Sequence, residues 1–166
     1  MEHTVKISAL AITLNEADNV DGFVQRLSFA DEIIIVDSFS NDETVAKARK
    51  HKNVTVFERT FDNFSAQKNF AISKATNDWV VFFDLDEEVT PQLAEEITTT
   101  LKNPSAIAYF VKRDFYFMGK RIKYSGLQND WVIRMFHKQY CNYNDNLVHE
   151  TLEANGETAK LKQTLP

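Results

Sequence analysis

The sequence predicts an α/β fold: a mostly parallel sheet flanked by helices, with a smaller mixed or antiparallel sheet in the C-terminal third. Three observations carry this. Apolar, β-rich runs alternate with helically spaced segments four times between residues 5 and 101. The connections are short, as in consecutive strand–helix units of a parallel sheet. Beyond residue 105 the pattern changes to short β-rich runs, with Gly119 and Gly126 at turns. A chain of 166 residues is long enough for one domain with a real core and short for two. Residues 1–166 are therefore expected to form a single domain with lobes at 1–105 and 106–166.

Val5–Thr13 is an apolar run that stops at Leu14-Asn15-Glu16, a first strand entering a polar loop. Val20, Phe23, Val24 and Leu27 then repeat at helical spacing within 17–29. Glu32–Val36 is a second strand, closed by Asp37. Ser40-Asn41-Asp42-Glu43 has the form of a capping box and predicts a helix to about Lys50. Asn53–Phe57 is a third strand, Phe64–Ala75 a helix, and Trp79–Phe83 a fourth strand. Thr90-Pro91 is a cap followed by proline at the first helical position, opening a helix to about Leu101. Short strands are expected at Ile107–Lys112, Phe115–Met118, Ile122–Tyr124 and Val132–Phe136, whereas residues 154–166 show no clear periodicity.

Composition narrows the function. With 43% hydrophobic and 26% charged residues and only four Gly and three Pro, the chain is not a disordered linker. The single Cys141 excludes an intramolecular disulfide and a cysteine-cluster metal site, and fits a reducing compartment. The first apolar stretch is too short for an export signal, and nothing approaches the roughly 20 apolar residues of a membrane span. A cytoplasmic protein is expected, with room for peripheral association at the inner face of the cytoplasmic membrane. The net charge of −5 argues against a nucleic-acid partner. Residues 112–138, however, hold seven Lys/Arg against two Asp. Lys112, Arg113, Lys120, Arg121 and Lys123 in that stretch suit an anionic ligand or membrane surface, or a solvated hairpin.

The chemistry concentrates at VVFFDLDEEVT, residues 80–90, where a buried strand runs into Asp84, Asp86, Glu87 and Glu88. Like charges this close repel unless a cation lies among them. Ligands of parallel α/β sheets bind outside the carboxyl ends of the strands, and three strands here end in Asn15-Glu16, Asp37 and Asp84-Leu85-Asp86. Asp84 and Asp86 suit Mg2+ or Mn2+, which favour carboxylate and phosphate oxygens. Glu87 and Glu88 are expected to serve the next helix, whose dipole favours acids at its start. No G-x-G-x-x-G or G-x-x-x-x-G-K-[ST] occurs, which disfavours NAD enzymes and P-loop NTPases. A haloacid-dehalogenase reading fails because the D-x-D lies on the fourth strand and Glu88 follows it.

The ordered set Ile12–Glu16, Ala30–Ser38, Ala66–Ala71, Asp78–Val80, Asp84–Glu87, Arg134–Phe136 and Val148–Glu150 resembles family 2 glycosyltransferases of the GT-A fold. It is most similar to the branch that builds lipopolysaccharide cores and surface glycans. The resemblance covers about residues 5–150. Two departures stand in it: Phe39 and Asn77 occupy positions where the family often has Gly. The resemblance implies transfer of a sugar, with inversion, from a nucleotide-sugar donor, most often a UDP-sugar, to a glycan or lipid-linked acceptor. It assigns 1–105 to the donor and 106–166 to the acceptor side, and family lengths suggest that further chain follows residue 166. Asn15, Glu16, Asp37, Lys68 and Asp84 would bind donor, and Asp86 would ligate the metal, with His149 as a further ligand or acceptor contact. Glu150 is the candidate base, ahead of Asp145 and Asp130, and Arg121, Lys123 and Arg134 would face the acceptor. The rival reading is a nucleotide-sugar-binding or partner-binding module without turnover; the presence of Lys68, Asp84, Asp86 and Glu150 favours the enzyme.

Overall fold

The computed structural model describes residues 4–114, 116–121, 130–145 and 150–166. The predicted strand at Ile122–Tyr124, the turn at Gly126, and Lys123 and His149 lie outside them. Four strand–helix units come first: β1 (Ile7–Thr13), α1 (Ala17–Arg26), β2 (Glu32–Asp37), α2 (Thr44–Arg49), β3 (Val54–Glu58), α3 (Phe64–Lys74), β4 (Trp79–Phe82) and α4 (Pro91–Thr100). Then follow β5 (Ala108–Arg113), β6 (Tyr116–Phe117), β7 (Lys120–Arg121), β8 (Trp131–His137), β9 (Cys141–Tyr143), β10 (Leu152–Ala154) and β11 (Thr158–Leu165).

One seven-stranded sheet, ordered β11-β5-β8-β4-β1-β2-β3, organises the chain. Strands β1 to β4 are mutually parallel, as predicted. The later strands do not form a separate large sheet. β4 is fully buried, so the backbone groups along its edge need partners, and β8 pairs with it antiparallel, Val80 opposite Phe136 and Val81 opposite Met135. β5 pairs with β8, and β11 with β5. The smaller antiparallel component consists of the pairs β9–β10 and β6–β7.

Alternation along the strands builds two cores. Ile7, Ala9, Ala11, Ile33, Ile35 and Val81 face α1, α2 and α4, including Phe23, Leu27, Leu93 and Ile97. Leu10, Ile34, Val36, Val80 and Phe82 face the other way, against Ala71 and Ile72 of α3 and Tyr143 and Leu152 of β9–β10. Thr90 caps α4 as predicted, its side chain accepting from the Leu93 amide. No helix among the described residues is long and apolar enough to cross a membrane.

Two sequence expectations need correction. Ser40 does not cap α2, which begins at Thr44 without a side-chain cap. The Asp37 carboxylate draws both the hydroxyl and the amide of Ser40 to itself. Residues 158–165 are a strand although they show no periodicity. A bulge between Lys160 and Thr164 breaks the alternation. There the Lys162 and Gln163 amides donate to the Glu96 carboxylate of α4, leaving Leu161 and Leu165 buried four residues apart.

Candidate active site

Strand order reverses at β1: β2 and β3 lie on one side of it and β4 on the other. The carboxyl ends of β1 and β4 therefore border a crevice at the topological switch point, where open α/β sheets bind ligands. A cavity of about 620 Å3 occupies it, within the ~300–1,000 Å3 of small-molecule sites. Its mouth is apolar, formed by the exposed side chains of Leu14, Phe61 and Phe64, with the two Phe rings edge to face at 5.0 Å. Glu16, Asp84 and Asp86 supply acidic walls, and Lys68 and Glu150 complete the lining. A second cavity of about 400 Å3, with Phe110, Trp131 and Tyr143 in its wall, shares Lys68, Asp84 and Glu150 with the first.

The loops after β1 and β2 are fastened to each other. The Asn15 amide donates to the Ser40 hydroxyl, and the Asn15 side-chain oxygen accepts from the Asn41 amide. The Glu16 amide donates to Thr44 Oγ1, and the Ala17 amide to the Asp42 carboxylate. Asn15 and Asp37 thus shape the rim: Asp37 is fully buried, and neither side chain lines the 620 Å3 cavity. Glu16 does line it. Burial pushes the Glu16 carboxyl above its usual range, the Asn19 and Thr13 hydrogen bonds oppose this, and the charges of Asp86 and Asp84 add to the rise.

Beneath the acids lies Arg134. It is 8% exposed, donates to Glu87, and stands 3.8 Å from Asp84. Burial works against its charge, but Glu87 and Asp84 more than compensate and raise its pKa. Glu87 also accepts from the Asp84 amide; burial raises its pKa despite the pull of Arg134. Neither Glu87 nor Glu88 lies in the first turn of α4, which corrects the helix-capping expectation. Arg134 lines the second cavity, with its charge directed to the acids beneath the D-x-D.

Lys68, on α3, places its ammonium 2.9 Å from the Glu150 carboxylate and 4.9 Å from the centroid of the Tyr143 ring. Asp86 is exposed and has no hydrogen-bond or ion-pair partner among the described residues. Arg121 is paired with Asp114 and lines neither cavity. Arg113 is paired with Asp130, which takes that weaker base candidate out of the site. Among the described residues no three His, Cys, Asp or Glu side chains cluster as a metal site. Asp84 and Asp86 nevertheless fit a divalent cation that keeps water and phosphate oxygens as its other ligands, because both carboxylates line the first cavity, with Arg134 behind Asp84. Sequence reasoning missed Leu14, Phe61 and Phe64. The available signal was a pair of Phe flanking the helix cap Asn63 at the carboxyl end of β3.

Residues 8–155 match the family described as glycosyl transferase family 2. The chain belongs to that family. An uncharacterised glycosyltransferase of Rickettsia conorii is 42% identical over 95 residues, which cover 57% of this chain and 33% of that protein. The lipopolysaccharide core biosynthesis glycosyltransferase LpsC of Rhizobium meliloti is 24% identical over 162 residues, 94% of this chain and 60% of LpsC. This family 2 chain therefore spans less than two thirds of either relative. Among solved structures, S. aureus TarS 1–349 superposes with a TM-score of 0.70 at 13% identity, covering 97% of this chain and 59% of TarS. Glucosyl-3-phosphoglycerate synthase from Mycobacterium tuberculosis, in complex with Mn2+, UDP and glucosyl-3-phosphoglycerate, gives 0.55 at 23% identity, covering 69% and 45%. The shared architecture is GT-A.

The two departures from the family pattern resolve differently. Phe39 adopts φ 61°, so the loop keeps the left-handed backbone that glycine takes freely and a Phe normally avoids. Asn77 is not left-handed; its amide and side chain both donate to the Ser8 hydroxyl, tying β4 to β1.

Proposed function

We propose that this chain transfers a sugar from a nucleoside-diphosphate donor, a UDP-sugar, to a hydroxyl of a glycan or lipid-linked acceptor, with inversion and with a divalent cation. The observation that carries this is the pair of cavities meeting at Lys68, Asp84 and Glu150. The first cavity takes the donor: Leu14, Phe61 and Phe64 offer an apolar surface to the base, and the acidic wall lies where the diphosphate would sit with its cation. Asp84 and Asp86 would hold Mg2+ or Mn2+, which neutralises charge developing on the leaving diphosphate. The structures of related fold that contain Mn2+ and UDP support this choice of donor and metal.

The acceptor enters from the second cavity, where Trp131 and Phe110 provide apolar walls suited to a sugar ring. Its hydroxyl oxygen attacks the anomeric carbon from the face opposite the diphosphate. The bond to the leaving phosphate oxygen breaks with its electron pair, and the hydroxyl proton passes to the Glu150 carboxylate. The Lys68 ammonium stabilises the departing diphosphate. Arg121 and Arg113 are already paired with acids, which favours a neutral sugar over a phosphorylated group as the acceptor's reacting end. The likeness to LpsC supports a surface glycan or lipopolysaccharide as the product, made at the inner membrane face.

The test is UDP release from UDP-glucose and UDP-galactose with Mn2+. Slow release into water is expected without acceptor, falling at least about 100-fold in Glu150→Gln. Unchanged release in that variant would remove Glu150 as base. No release from either donor would count against the UDP-sugar assignment.

A further inference from the structure

The ion pair between Lys68 and Glu150 stands where the two cavities join, and both residues line both cavities. Under the proposed function they have separate tasks, one on the leaving diphosphate and one on the acceptor hydroxyl. In this structure they neutralise each other. Their side chains are only 13% and 23% exposed, so the contact is largely shielded from solvent.

The surroundings of Lys68 favour movement of its side chain alone. Asn69, the next residue on α3, donates to the Tyr143 carbonyl and accepts from the Tyr143 amide. The helix backbone is therefore fixed against β9. The Lys68 ammonium lies 4.9 Å from the Tyr143 ring on the side of the second cavity and 5.8 Å from the Phe64 ring on the side of the first. Each aromatic face attracts a cation, and the flexible lysine stem reaches both stations without moving the helix.

We propose that this pair is an autoinhibitory latch: Lys68 holds the Glu150 carboxylate until the diphosphate of a donor draws the ammonium into the first cavity. Glu150 becomes able to accept a proton only once donor is in place. Donor binding then precedes productive acceptor binding, and Glu150 competes with the diphosphate for Lys68. The latch rests on the donor-site reading above.

The competition gives a readout that needs no turnover. UDP is titrated calorimetrically, with Mn2+ present, into the wild-type chain, Glu150→Gln, Lys68→Met and the double variant, with thermal midpoints confirming that each is folded. Glu150→Gln should bind UDP about fivefold more tightly, the scale of a partly shielded ion pair. Lys68→Met should bind it more weakly. In the Lys68→Met background, Glu150→Gln should change affinity less than twofold. A Glu150→Gln variant that binds no more tightly overturns the latch. So does a gain that persists without Lys68, since that is general relief of repulsion between Glu150 and the diphosphate. If the wild-type chain binds no UDP, the donor reading fails and the latch fails with it; if it binds UDP but the variants show no coupling, the latch fails alone.

Discussion

Replacing Arg134 with Met keeps most of the aliphatic volume and removes the charge beneath the acidic rim. The side chain is 9% exposed and that of its partner Glu87 is 11% exposed. The variant therefore leaves a buried carboxylate with the Asp84 amide as its remaining hydrogen-bond donor among the described residues. Breaking a buried pair in this way costs about 3–5 kcal/mol. At about 2–4 °C per kcal/mol for a chain of this size, the midpoint should fall by about 6–20 °C. The loss should depend on pH. Burial already holds the Glu87 carboxyl above its usual range, and removal of Arg134 raises it further. A carboxyl whose folded pKa exceeds its unfolded value destabilises the fold most when ionised. The deficit is therefore largest above the folded pKa and shrinks as pH falls through it. Circular-dichroism melts at pH 8 and pH 5 measure this, and adding Glu87→Gln to Arg134→Met should recover most of the loss at pH 8. A single variant within about 1 kcal/mol of wild type at pH 8, or no recovery in the double variant, would refute the reasoning.

Three other outcomes are expected. Phe39→Gly should stabilise the chain by about 0.5–1 kcal/mol, because a left-handed Phe is strained and the residue is 56% exposed; a lower midpoint would mean that the ring packs. Glu16→Gln should raise the midpoint of the ligand-free chain at neutral pH, since burial and the nearby Asp86 and Asp84 hold the ionised carboxyl at a disadvantage. That gain should fade as pH falls through the Glu16 pKa, where the wild-type group is protonated; a gain growing towards low pH would contradict it. Cys141 is buried, and burial pushes its thiol up to about 11. Iodoacetamide at pH 8 should label it far more slowly in the native than in the unfolded chain, and equal rates would contradict the burial.

Much of the N-terminal part, residues 5–101, was legible because its signals are local. Contiguous apolar runs gave β1 to β4, and Thr90-Pro91 gave the start of α4 within a residue. Glu16, Lys68, Asp84, Asp86 and Glu150 line one cavity, beside the ends of β1 and β4 that the apolar runs marked. What escaped depends on distant partners. Asp37 turns to Ser40, three residues on, whose hydroxyl also accepts from the Asn15 amide 25 residues away, and the Asn15 side chain is held by Asn41, 26 residues away. Glu87 turns to Arg134, 47 residues on, rather than to the start of α4. β11 is hidden by a bulge that Glu96 stabilises from another element. β9 and β10, at three residues each, are too short for a period to show.

The central claim is that Asp84 and Asp86 bind a diphosphate through a divalent cation. Calorimetric titration of UDP with Mn2+ and with EDTA, into wild type and Asp86→Ala, tests it most directly. The account predicts binding to wild type with Mn2+ that is lost with EDTA and in Asp86→Ala, while the variant's melt stays unchanged because Asp86 is exposed. UDP binding that survives both EDTA and loss of Asp86 would contradict it.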